Sequence, residues 1–126
     1  MYRNAENEML AWFSSVRRKP LVLRGARQVG KSTLVRQFAA AQNLVLNEIN
    51  LERHLNLARV FRSLDISRIV EELSVLVGRR ADAPGTLLFL DEIQAVPEAL
   101  AALRYFHEDR PDLPVVAAGS LLEFAL

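Results

Sequence analysis

Gly25-Ala26-Arg27-Gln28-Val29-Gly30-Lys31-Ser32, with Thr33 behind it, decides how the rest of the chain is read. The stretch fits the spacing GxxxxGK[ST], a phosphate-cradling loop. Its glycines admit backbone conformations that a β-carbon forbids, so successive N–H groups turn inward toward phosphate oxygens. A helix opening at the end of the loop adds its own N-terminal N–H groups and the positive end of its dipole. Lys31 brings a point charge to the β- and γ-phosphates, and the Ser32 hydroxyl ligates Mg²⁺. Two glycines, a lysine and a hydroxyl so placed arise by chance in on the order of half a percent of chains this long.

The flanks supply the context such a loop needs. Leu21-Val22-Leu23 is a short apolar run of the kind a buried strand shows, and Leu34, Val35, Phe38 and Ala39 mark one face of a helix from about Lys31 to Ala41. Further on, Leu44-Val45-Leu46 with Ile49 reads as a second strand ending near Asn50, and Leu51 to Leu64 as one short helix. Ile66, Ile69, Val70, Leu73, Leu76 and Val77 keep helical spacing between an Asp65 N-cap and a Gly78 stop. Ala83-Pro84-Gly85 is a turn, Thr86 to Leu90 a strand, and Pro97 opens a helix with Leu100, Leu103 and Phe106 on its apolar face. Pro111 and Pro114 bracket its exit, and Val115 to Ala118 is a fourth strand. Ahead of all this, Met9, Leu10, Trp12, Phe13 and Val16 recur at helical spacing between Asn4 and Arg18, until Pro20, with Trp12 and Phe13 read as packing residues rather than an adenine platform. Uninterrupted apolar strands alternating with helices predict an α/β fold, a three-layer αβα sandwich around a mainly parallel sheet.

The third strand runs into Asp91-Glu92. An aspartate at such a strand tip holds Mg²⁺ through its water ligands, and a glutamate after it polarises an attacking water. Two solvated acids at a strand end are the reading without function; the loop sixty residues earlier favours the functional one. In an open parallel sheet ligands sit at the C-terminal strand ends, so Ser120 after the fourth strand is a candidate sensor of the γ-phosphate or the lytic water. A plain loop serine fits as well. Asn50 and Glu52 are weaker candidates for the same rim. His54 and His107 lack ligand-like spacing, and Arg27, although inside the loop, occupies a position whose side chain commonly points to solvent.

Composition narrows the class. With 126 residues, 51% hydrophobic and 25% charged, the chain reads as one globular domain. A formal charge of +1 offers no global attraction for nucleic acid, although Arg17-Arg18-Lys19 forms a local basic patch. No cysteine is present, so disulfides and thiolate metal sites are out, which fits a cytoplasmic address. Met1 to Glu8 has no secretory pattern, and no apolar run reaches the ~18–20 residues of a membrane span.

Arg24 to Leu34, then Leu90-Asp91-Glu92-Ile93-Gln94, then Ala118-Gly119-Ser120-Leu121-Leu122 together resemble the predicted AAA+-type P-loop ATPases of bacteria and archaea. The resemblance runs from about Leu21 to Leu126. It implies ATP rather than GTP, Asp91 and Glu92 in the magnesium and water roles, Ser120 as first sensor and Thr33 near the α-phosphate. In that family the phosphate-loop strand has a neighbour on each side, one being a fifth strand encoded later, as are the helical lid, second sensor and arginine finger. Neither Arg104 nor Arg110 matches the finger position.

The expectation is therefore a partial core, 1–19 an N-terminal helix and 20–126 a nucleotide-binding core lacking its last strand and lid, cut from a longer ATPase. Leu21-Val22-Leu23 would form an open sheet edge, inviting self-association. Such a core binds Mg-ATP at Gly25, Ala26, Arg27, Gln28, Val29, Gly30, Lys31, Ser32 and Thr33, with Ser32 and Asp91 toward the metal and Lys31, Glu92 and Ser120 toward the chemistry. Its hydrolysis is slow, because an arginine finger is worth ~10³–10⁵ in rate. Two other classes stay open: a non-hydrolysing nucleotide-dependent switch that engages protein or DNA, and a small-molecule kinase. The Asp-Glu pair favours water over a substrate hydroxyl.

Overall fold

Four short apolar runs become strands: β1 (Leu21–Gly25), β2 (Val45–Asn50), β3 (Thr86–Asp91) and β4 (Val115–Ser120). The computed structural model describes residues 2–16, 18–25 and 30–120. All pairings are parallel, in the order β1-β4-β3-β2. The sheet is α/β with every strand parallel, a P-loop NTPase-like arrangement.

Alternation along the strands sorts side chains into two cores, one per face. Leu87, Phe89, Val116 and Ala118 join Leu34, Val35 and Phe38 of α2 (Gly30–Ala41) and Met9 of α1 (Tyr2–Ser14). Leu88, Leu90, Val115 and Ala117 join α3 (Ala58–Arg62), α4 (Ile66–Val77) and α5 (Pro97–Asp109) on the opposite face. Thr86 to Leu90 is buried at every position, because helices cover both sides. Helices, sheet and helices make three layers.

Local chemistry explains the boundaries. Asp65 takes the backbone N–H of Arg68, and Gly78 ends α4 at φ 75°, the left-handed region that glycine enters without a steric cost. Pro97 opens α5, where its missing N–H is no loss. Its buried face is Ala99, Ala102, Leu103 and Phe106, with Leu100 only half-buried.

Two expectations need correction. α1 stops at Ser14 rather than near Arg18, and Leu10 and Val16 are exposed, Val16 fully so. Phe13 and Met9 carry the packing instead, Phe13 edge-on against Phe38. Arg18 helps to end the helix by donating to the Phe13 carbonyl at 2.9 Å, and it also reaches the Asp112 carbonyl. That arginine is thereby drawn out of any basic patch; Arg17 lies outside the described residues. The second correction is the stretch after β2. It is not one helix but two 3₁₀ turns, Leu51–Arg53 and Leu55–Leu57, followed by the short α3. Asn50 starts the first turn by accepting the Glu52 N–H, which diverts the chain before a full helix can form.

The two sheet edges differ. At β2, Arg79 donates to the Leu46 carbonyl and Glu48 carries a two-bond ion pair with Arg36 of α2. Charged side chains of this kind blunt an edge against further pairing. β1, at the other end, pairs only with β4 among the described residues. Among those residues no helix is long and apolar enough to cross a membrane.

Candidate functional site

Register brings the C-terminal strand tips onto one rim. Gly25 lies opposite Ser120, and Asn50 opposite Asp91. Such a rim is where open parallel sheets bind their ligands. α2 begins at Gly30, with four residues between it and the end of β1, so its N-terminus opens beside that rim. Ala26, Arg27, Gln28 and Val29, the centre of the expected phosphate loop, lie outside the described residues, as do Leu121 to Leu126.

Four residues of the loop's end, Gly30 to Thr33, are in view, and two make telling contacts. The Ser32 hydroxyl donates to Asp91 Oδ2 at 2.9 Å, across 59 residues of sequence. Lys31 Nζ donates to the Gly119 carbonyl at 2.9 Å, at the end of β4. Thr33, half-buried, follows on the same first turn. Thus the loop helix, the acidic strand tip and the β4 end meet, as the sequence pattern requires. Ser120 is placed by its backbone only, and its side chain is outside the described part. Asn50 is on the rim, but its side chain caps the turn at Glu52, and Glu52 itself is exposed.

The donor chemistry here suits a hard divalent cation. Ser32 and Asp91 offer oxygen alone, and Mg²⁺ characteristically takes one or two protein oxygens and completes its shell with water and phosphate. Among the described residues no group of three or more His, Cys, Asp or Glu gathers that could hold a metal ion.

Burial pushes the Asp91 carboxyl up from the ordinary aspartate range. Hydrogen bonds from Ser32 and the Glu92 N–H oppose that rise, and the neighbouring charges of Glu92 and Glu48 add to it. The sign of the consequence for stability is fixed. An acid raised in the fold contributes fully below its unfolded value, ~3.9, and loses that contribution as pH climbs through the raised value. At neutral pH the ionised Asp91 is therefore a cost. Asp91→Asn is expected to raise Tm at pH 7 in chelator, with the gain shrinking toward pH 4, as thermal unfolding at the two pH values would report. A variant that melts lower at pH 7 would show that hydrogen bonding, not burial, dominates.

Glu92 stands in the left-handed region at φ 53°, ψ 48°, which costs a residue with a β-carbon about 1–2 kcal/mol. Neighbours hold it there: its N–H donates to Asp91 Oδ1 at 2.9 Å, and its carbonyl accepts from the Ala95 N–H at 3.0 Å. Buried Ile93 and Val96 anchor the turn that follows. The chain thus stops being a strand at Asp91 and turns the glutamate out at the rim. Gln94 Nε2 donates to Glu92 Oε1 at 2.7 Å, a contact that sequence reasoning missed, as it missed the Arg36–Glu48 pair whose acid acts on Asp91.

Arg104 and Arg110 are committed elsewhere. Arg104 pairs with Glu108 one helical turn away. Arg110 binds Asp82 and Asp112 near the start of β4, at the far end of the strands from Asp91. A cleft of about 440 Å³ lies at that far end, between Phe13, Arg18, Thr86, Arg110 and Pro114. Its two acids are already joined to Arg110, so it lacks the unbalanced charge that a phosphate needs.

A family model described as an AAA domain matches residues 17–126, leaving only α1 and its first connecting residues ahead of the matched span. No curated protein matches the chain. The matched family is one of nucleotide binding with ATPase-type character, which agrees with an all-parallel sheet whose loop helix, acidic strand tip and fourth strand converge at one rim. By a match over most of its length, the chain belongs to the AAA domain family.

Proposed function

We propose that the chain binds Mg-ATP at the Gly25–Thr33 loop and that, as part of its native assembly, it hydrolyses ATP to drive a conformational change. The observation that carries this reading is the Ser32–Asp91 hydrogen bond, which joins the loop's hydroxyl to the acid at the tip of β3. That pair would hold Mg²⁺, which supplies charge neutralisation and geometry for the phosphates. Lys31 reaches toward the same rim and offsets the negative charge of the β- and γ-phosphates. Glu92 polarises the attacking water, and Ser120 senses the γ-phosphate.

Preference for ATP over other nucleotides rests on family membership and is tested by competition. Mg-ATP is expected to displace a fluorescent ATP analogue at lower concentration than Mg-GTP, and removing Mg²⁺ with chelator is expected to weaken binding. Equal displacement by both nucleotides would overturn the assignment of ATP. The β1 edge, which pairs only with β4 among the described residues, supports a further part of the reading, self-association of the chain. Sedimentation is expected to depend on concentration, and a monomer at all concentrations would count against that part.

A further inference from the structure

We infer that Gln94 is a positioning residue for hydrolysis, holding the Glu92 carboxylate in the orientation from which it polarises water. The inference rests on the reading of Glu92 given above. Its starting point is geometric. Residues two apart in a helix point away from each other. Here the left-handed conformation of Glu92, followed by the 3₁₀ turn Ile93–Ala95, brings residues 92 and 94 to the same side, and Gln94 Nε2 meets Glu92 Oε1 at 2.7 Å.

The bond answers a specific difficulty. The last torsion of a glutamate is broad and roughly two-fold, so an untethered carboxylate swings about its axis. A base displaced by about 1 Å loses on the order of 100-fold in rate. The turn fixes the backbone through Asp91 Oδ1, the Ala95 N–H and the buried Ile93 and Val96. Gln94 acts at the carboxylate end itself, with a neutral donor. An amide neither takes up the proton nor brings a charge that would compete with Lys31 or a divalent cation. The titratable groups on the elements packed against the turn are Glu52 and Arg53 of the preceding 3₁₀ turn and, on α5, Glu98, Arg104, Tyr105, His107, Glu108 and Asp109; Glu98 is paired with Arg62 and Arg104 with Glu108.

The test is steady-state ATP hydrolysis by Gln94→Met, which keeps length and loses the donor, and by Gln94→Ala. Both are expected to lower kcat about 10- to 100-fold while KM for Mg-ATP stays within about 2-fold. In a Glu92→Gln background, adding Gln94→Met is expected to change nothing further, because the group it positions is gone. Unchanged kcat in both single variants, with turnover abolished by Glu92→Gln, overturns the role of Gln94 and leaves that of Glu92 standing. The same additional loss in the Glu92→Gln background also overturns it, by showing that Gln94 acts elsewhere. Turnover that Glu92→Gln leaves untouched overturns the reading of Glu92 and this inference together. Mg-ATP affinity and Tm of Gln94→Met serve as the check on folding; if Gln94→Met alone misfolds, Gln94→Ala carries the same comparison.

Discussion

Glu92→Gln is expected to lower ATP turnover about 100-fold or more while leaving Mg-ATP affinity close to that of the parent, since a positioned general base typically contributes 10²–10⁴. The substitution removes a charge and a proton acceptor but keeps size and hydrogen-bonding reach. The backbone supports around residue 92, from Asp91 Oδ1 and the Ala95 N–H, do not depend on its side chain. The fold therefore has no reason to change. Single-turnover measurements with excess protein give the rate even where turnover is slow, and a titration with a non-hydrolysed analogue gives the affinity. Parallel loss of both would assign Glu92 to binding. Turnover equal to the parent would favour the non-hydrolysing switch.

Lys31→Ala is expected to act on the other quantity, weakening Mg-ATP binding about 100-fold or more. A hydrogen bond to a charged group is worth about 1.5–3 kcal/mol, and this ammonium serves two phosphates; each 1.4 kcal/mol is tenfold in affinity. Lys31 lies in the first turn of α2 and is half-buried, whereas Leu34, Val35, Phe38 and Ala39 carry that helix's packing. Alanine is also the best helix former. The lost contact to the Gly119 carbonyl leaves the β1–β4 ladder intact, so Tm should move little. A thermal-shift series with Mg-ATP checks both points, because the parent should gain stability with nucleotide and the variant should not.

Most of the fold was legible in the sequence because its signals are local and redundant. Thr86 to Leu90 has no polar interruption, which only a strand covered on both faces tolerates, and the structure buries all five residues. Asp65 and Gly78 are visible caps because their effect spans only a few residues. At α1 the local signal failed: helical spacing of Leu10 and Val16 reads as a packing face, but Phe38 lies where Phe13 and Met9 meet it, and Arg18 takes the Phe13 carbonyl. No periodicity records that contact. After β2, the Asn50 cap diverted a stretch that otherwise looks helical.

The site divides in the same way. Ser32 and Asp91 could be paired from sequence because a phosphate loop and an acidic strand end demand each other chemically, whatever the distance between them in sequence. Gln94 was in plain sight two residues after Glu92, yet the i, i+2 spacing carries no expectation of contact. The left-handed backbone at Glu92, which no local residue preference announces, creates it. Arg36 and Glu48 likewise meet only because α2 packs beside β2.

The central claim is that the Gly25–Thr33 loop, with Lys31 and the Ser32–Asp91 pair at its end, is a Mg-ATP site. Calorimetric titration of Mg-ATP into the chain and into Lys31→Ala, side by side, tests it most directly. One saturable site per chain, weakened about 100-fold or more in the variant, is the predicted result. Equal affinity in the two proteins, or no saturable binding by the parent, would contradict it.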